Sequence, residues 1–153
     1  MRRVFKAPIL LYDAGFGWAL GERFLQVTHV GRRTGRRYRS VVEVLGRLPQ
    51  EDAYVVMAGF GRSTDWLRNL QAGGGREVAV GRRRFCPVMR ELSEDEAVTV
   101  LADYERRNRL IAPIVRAVLS RLLGWRYTGT ADQRRRVVRE LPLVALAPGA
   151  KGT

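Results

Sequence analysis

The sequence predicts an α+β domain in which an antiparallel or mixed sheet of about six strands closes into a small barrel, with helices packed outside. Three observations predict it. The apparent order is helix, three strands, helix, two strands, helices, strand, with no regular βαβα alternation. The strands are joined by short glycine-containing turns or by single helices. No GxGxxG follows the first strand and no GxxxxGK[ST] occurs, so dinucleotide-binding and P-loop folds lack their main sequence support. A chain of 153 residues, 46% hydrophobic and 28% charged, is one ordinary domain over residues 1–153 and can bury a core without metal or disulfide staples.

Taken in order, residues 6–20 read as a short amphipathic helix with Pro8 near its first turn. Residues 23–30, 38–46 and 53–60 alternate or run apolar in the manner of strands, separated by GRRTGRR and LPQED. A helix is expected from Asp65 to Ala72, with Thr64 or Asp65 as its N-cap, and Gly73-Gly74-Gly75 ends it. REVAVG and RRFCPVMREL read as two strands with a hairpin tip at 81–83. Ser93 followed by Glu96 is a capping-box pattern for a helix reaching Asn108. A second helix over 111–123 carries Ile111, Ile114, Val115, Val118, Leu119 and Leu122 at helical spacing. A basic helix over 131–140, a last strand LPLVALAP and a frayed tail at 148–153 complete the chain.

Charge is the unusual bulk property. Lys and Arg number 28 against 15 Asp and Glu, a formal net charge of +13, and only Lys6 and Lys151 are lysines. Guanidinium is always charged and its planar fork fits phosphate and carboxylate, so an anionic partner is expected, though a GC-rich genome would also enrich arginine. The aromatics are not interleaved with arginines as on a stacking platform, so specific nucleic-acid binding is not expected. The single Cys86 allows no intrachain disulfide and fits a reducing cytoplasm, and with the single His29 it leaves no usual His/Cys zinc set. Residues 1–20 begin Met-Arg-Arg and carry an apolar side, which fits peripheral membrane contact.

Two constellations carry candidate chemistry. Gly31-Arg32-Arg33-Thr34-Gly35-Arg36-Arg37 lies between two strands, with Arg39 just beyond. Its glycines permit a tight bend whose N–H groups and guanidinium groups would bind a phosphate or carboxylate; the same residues also fit a solvated basic hairpin. The second is Ala58-Gly59-Phe60-Gly61 followed by Asp65-Trp66-Leu67-Arg68-Asn69-Leu70. Small residues at a strand end let a planar ring approach, and Trp66 and Asn69 share a helix face as a wall and a polar contact for it. Alternatively Trp66 and Leu70 are core and Asn69 is a local cap.

These segments, with Val80-Gly81-Arg82-Arg83-Arg84-Phe85 and Ala102-Asp103-Tyr104-Glu105-Arg106-Arg107, resemble the deazaflavin-dependent nitroreductase family over roughly residues 8–147. The resemblance implies a split β-barrel like that of the oxidases that bind flavin mononucleotide (FMN). It implies coenzyme F₄₂₀ as hydride carrier, and quinones, nitroaromatics or activated alkenes as small-molecule acceptors. It implies that Arg32, Arg33, Thr34, Gly35 and Arg39 hold the acidic tail, and that Ala58, Gly59, Phe60, Trp66 and Asn69 lie near the ring. Relatives of this barrel often dimerise. Leu67, where the family often has an aromatic, and Asn108-Arg109, where it often has His-Pro, depart from the pattern on the acceptor side. FMN on the same barrel would use the same basic turn and is the alternative cofactor, and a non-catalytic F₄₂₀ carrier is an alternative function. Tyr104 is the preferred proton donor, with Tyr127, Tyr12 and solvent as others; His29 is expected to be structural and Cys86 a small strand hydrophobe.

Overall fold

The computed structural model describes residues 21–149; the expected helix at 6–20, Tyr12 and most of the expected frayed tail lie outside them. Seven antiparallel strands form one sheet: β1 (Phe24–Val30), β2 (Arg37–Leu48), β3 (Ala53–Met57), β4 (Gly75–Val80), β5 (Arg83–Phe85), β6 (Pro87–Glu91) and β7 (Leu143–Pro148). Their order is β5-β4-β1-β2-β3-β7-β6. The two edge strands are consecutive in sequence, separated only by Cys86, so one bent segment pairs with β4 on one side and β7 on the other. That bend nearly closes the sheet into the split barrel. It also corrects the expected strand 83–92, which Pro87 divides because it has no N–H to continue the ladder. Cys86 sits at this joint and is exposed rather than packed as a hydrophobe.

The barrel is filled by alternate residues of its strands. Leu25, Val27, Tyr54, Val56, Val78, Val80, Val144 and Leu146 form an interior cluster. Helix α1 (Asp65–Gln71) adds Trp66 and Leu67 to that cluster and so plugs one end. The opposite end is closed by charge: Tyr54 donates to Glu22 (3.0 Å), Arg83 donates to Tyr54 and Asp52, and Arg47 stacks over the Tyr54 ring. A second core lies outside the barrel, where α2 (Glu94–Arg107) and α4 (Ala131–Glu140) cover Leu45, Val55, Leu143 and Ala145.

Local signals account for most boundaries. The capping box of Ser93 and Glu96 forms as expected, and Thr130 with Gln133 forms a second one at the start of α4. Thr64 occupies the N-cap of α1 without capping through its side chain; its hydroxyl instead donates to the Gly61 carbonyl (2.6 Å). Helix α3 (Ala112–Leu123) forms, but its regular apolar spacing does not describe a buried face: of its residues only Leu119 is buried.

Candidate functional site

The β1–β2 hairpin fixes the basic turn. Val30 pairs with Arg37, and the bend between them is pinned by Gly31 N–H donating to the Arg36 carbonyl (2.8 Å) and Gly35 N–H to the Gly31 carbonyl (3.0 Å). Gly35 takes φ of 67°, and a Cβ on Gly31 would stand 2.6 Å from Thr34 Oγ1 and 2.9 Å from the Tyr38 ring, so both glycines are demanded by the turn. Thr34 bonds the Tyr38 hydroxyl (3.2 Å) and accepts from Arg36 N–H.

Under the turn runs a buried polar chain. The hairpin register places His29 opposite Tyr38 and Val27 opposite Ser40, so His29, Tyr38 and Ser40 share one face of the hairpin, with His29 buried and Tyr38 exposed. His29 stacks on Tyr38 and its Nε2 meets Ser40 Oγ at 3.0 Å. Its Nδ1 meets Asn69 Nδ2 at 2.9 Å. Asn69 Oδ1 in turn accepts from the backbone N–H of Arg32 (3.1 Å) and from its guanidinium (2.8 Å). Arg32 also pairs with Asp65 at the start of α1 (3.6 Å). With Asn69 Oδ1 taken by donors, its Nδ2 must donate, so His29 Nδ1 accepts and the imidazole carries its proton on Nε2. Burial pushes the His29 pKa below its ordinary value against a smaller raising effect of Asp65, in keeping with a neutral ring.

Arg32 and Thr34 are thereby committed to shaping the turn. Arg33, Arg36 and Arg37 are exposed at it, and among the described residues none of the three forms an ion pair with a carboxylate. From Arg23 to Val42 the chain has six arginines and no Asp or Glu. Arg39 stands opposite Thr28, on the outer face of the barrel wall rather than inside it. This donor set fits an oligoanion such as the phosphate and carboxylates of a coenzyme tail.

The loop after β3 lies at the same end of the barrel. Phe60 N–H donates to Thr64 Oγ1 (3.1 Å), and Thr64 leads directly into Asp65 and so to Arg32. Ala58 is buried, Gly59 partly open, and Phe60 exposed. The structure therefore joins the turn and the loop 58–61 through α1.

Three expected residues take other places. Trp66 is packed into the barrel core, because the first turn of α1 points inward, and presents no open wall to a ring. Asn69 is buried and its amide ties the turn to α1 and β1, so it positions the site rather than offering a free polar contact. Tyr104 lies on α2 against Glu43, to which its hydroxyl donates (2.8 Å); that is four residues along β2 from Arg39, roughly 13 Å at strand spacing. It borders a separate cavity of about 660 Å³ between α2 and β2, lined also by Arg23, Gly46, Arg47 and Arg107. Burial and the Glu43 charge raise its pKa, so it holds its proton firmly. Tyr127 is likewise buried, donating to Glu105 (2.8 Å). Sequence reading gave no site role to Tyr38, Ser40 or Asp65. The two-residue alternation of the hairpin, once its register is set, would have placed the first two beside His29.

A family model described as F420H(2)-dependent quinone reductase matches residues 13–113 of the chain. Among curated proteins no match is found. The chain is similar to the solved structure of an F420-H2 dependent reductase (FDR-A), at 13% identity over 82% of this chain and 95% of that one, with a TM-score of 0.47. It is also similar to a pyridoxamine 5′-phosphate oxidase-related, FMN-binding protein from Nostoc punctiforme PCC 73102, at 16% identity over 95% and 80% of the two chains, with a TM-score of 0.47. A third similar structure is a protein of the pyridoxinephosphate oxidase family from Clostridium acetobutylicum, at 7% identity over 91% and 84%, again with a TM-score of 0.47.

Proposed function

Because the chain belongs to the F420H(2)-dependent quinone reductase family, we propose that it is an oxidoreductase that binds reduced F₄₂₀ at the 31–37 turn and delivers hydride to a quinone-class or other electron-poor organic acceptor beside loop 58–61. The observation that carries this is the guanidinium cluster of Arg33, Arg36 and Arg37, which has no carboxylate partner among the described residues and is held in shape by the Arg32–Asn69–His29 chain next to that loop. Charge-assisted bonds to such a cluster are each worth about 1.5–3 kcal/mol, so two or three support micromolar binding after ordering costs.

When bound, the reduced coenzyme supplies a hydride, and the protein's task is to hold its ring still with one face open. The chain's own residues do this at the acidic end through Arg33 and Arg36 and at the ring end through the partly open Gly59, while Ala58, expected beside the ring, is packed in the barrel core. The proton that accompanies the hydride comes from solvent, the Tyr104 hydroxyl being engaged with Glu43 and its pKa raised. The test is an anaerobic assay following F₄₂₀H₂ oxidation with menadione as acceptor. Turnover that depends on enzyme concentration and falls in Arg33→Ala/Arg36→Ala is expected. Turnover with reduced FMN but not with F₄₂₀H₂ would replace the coenzyme assignment.

A further inference from the structure

Helix α3 poses a problem that the reductase reading leaves unsolved. Leu110, Ile114, Val118 and Leu122 stand four residues apart in one row along α3 and the turn before it, and are 93, 63, 47 and 40% exposed. A helix of this composition normally turns such a row to the core. Here the core side is taken by Leu119, with Val115 and Leu123 packed at its edge, so the row is a second apolar face.

The charges around the row are one-sided. Between Glu105 and Asp132 the chain has six arginines and no carboxylate. Arg109, Arg121 and Arg126 are exposed, and among the described residues none has an ion pair. An apolar stripe edged by arginines is the pattern of a helix that lies in the headgroup region of an anionic bilayer. No described helix is long and apolar enough to cross one.

A second copy of the chain fits less well. A two-fold dimer through this face would set the same arginines against each other. A single file of four partly covered side chains also falls short of the roughly 800 Å² per partner that stable interfaces bury.

We infer that α3 docks this protein on anionic membrane surfaces, with Leu110, Ile114, Val118 and Leu122 inserted among the acyl-chain ends and Arg109, Arg121 and Arg126 at the phosphates. The stripe ends beside the candidate site: a Cβ on Gly59 would lie 3.7 Å from Leu122 Cδ1. Docking therefore brings loop 58–61 to the lipid surface, where apolar quinones reside; this last consequence rests on the reductase reading, and the docking does not.

The test is co-sedimentation of the full chain with phosphatidylglycerol vesicles and with phosphatidylcholine vesicles, alongside F₄₂₀ titration without lipid. The wild type should pellet with phosphatidylglycerol and far less with phosphatidylcholine. Ile114→Ser/Val118→Ser and, separately, Arg109→Gln/Arg121→Gln should each lower the bound fraction at least about five-fold while F₄₂₀ affinity stays at the wild-type value. Both pairs are exposed, so the fold should survive, and circular dichroism checks it. Wild-type protein left in the supernatant, or either variant pelleting like wild type, overturns the inference. So does a dimer in light scattering that Ile114→Ser/Val118→Ser dissolves. Because coenzyme affinity is read without vesicles, failure of the reductase assignment and failure of membrane docking are separate results.

Discussion

At the scale of single residues, the polar chain under the turn depends on a neutral His29. Its neutral ring is required because Asn69 has only a donor to offer it. A proton on Nδ1 would set two donors face to face in a buried place. The folded state holds the His29 pKa below the 6.5 of the unfolded chain, so the unfolded state binds the proton first. The stability His29 contributes is then fully present above pH 6.5 and is lost as the pH falls below that value. The melting temperature should fall between about pH 7.5 and 5.5, and His29→Gln should flatten that fall. An unchanged slope in the variant would show that another group titrates. His29 was legible in the sequence as structural, since it precedes the basic turn in a strand. Its partner was not. Asn69 lies 40 positions away, and only the fold shows that its amide is spent on the turn rather than on a ring.

Among the elements, the strands and the Ser93–Glu96 capping box were the most readable, because alternation and Ser-x-x-Glu spacing have local causes. The bend at Cys86 was not, since strand propensity runs through it and only the pairing of β5 and β6 with opposite edges reveals the break. The glycine run after α1 was legible only as a turn. In the structure Gly74 is also a close contact: its N–H donates to the Asn69 carbonyl (2.7 Å), its carbonyl accepts from Val30 N–H (2.8 Å), and a Cβ would stand 2.5 Å from the Val30 oxygen. Since backbone cannot yield as a side-chain tip can, Gly74→Ala should cost about 1–3 kcal/mol in urea denaturation and loosen the turn above it. A loss below about 0.5 kcal/mol would mean that α1 and β1 shift apart without strain. Helix α3 was legible as a helix from its spacing, but the spacing could not say which apolar row meets the core: Val115, Leu119 and Leu123 do, and Ile114, Val118 and Leu122 are exposed.

For the molecule as a whole, the distribution of charge matters more than its sum. The carboxylates are concentrated away from the basic turn, where Asp52 meets Arg47 and Arg83, Glu51 and Glu96 meet Arg90, Glu105 meets Arg134, and Glu94 meets Arg135 and Arg139. Most of these pairs are exposed and add little stability. Among the described residues, the arginines they leave without a carboxylate include Arg33, Arg36 and Arg37 at the turn and Arg109, Arg121 and Arg126 around α3. A net charge of +13 raises the expectation of an anionic partner, and the barrel was predictable from element order, but which arginines stay without an acid depends on the fold. The most direct test of the central claim is a fluorescence titration of F₄₂₀ with wild-type protein and with Arg33→Ala/Arg36→Ala at low and high salt. Micromolar binding by wild type is expected, weakened at least about tenfold in the variant and by salt in both. Equal affinities for wild type and variant, or no binding by the wild type, would contradict it.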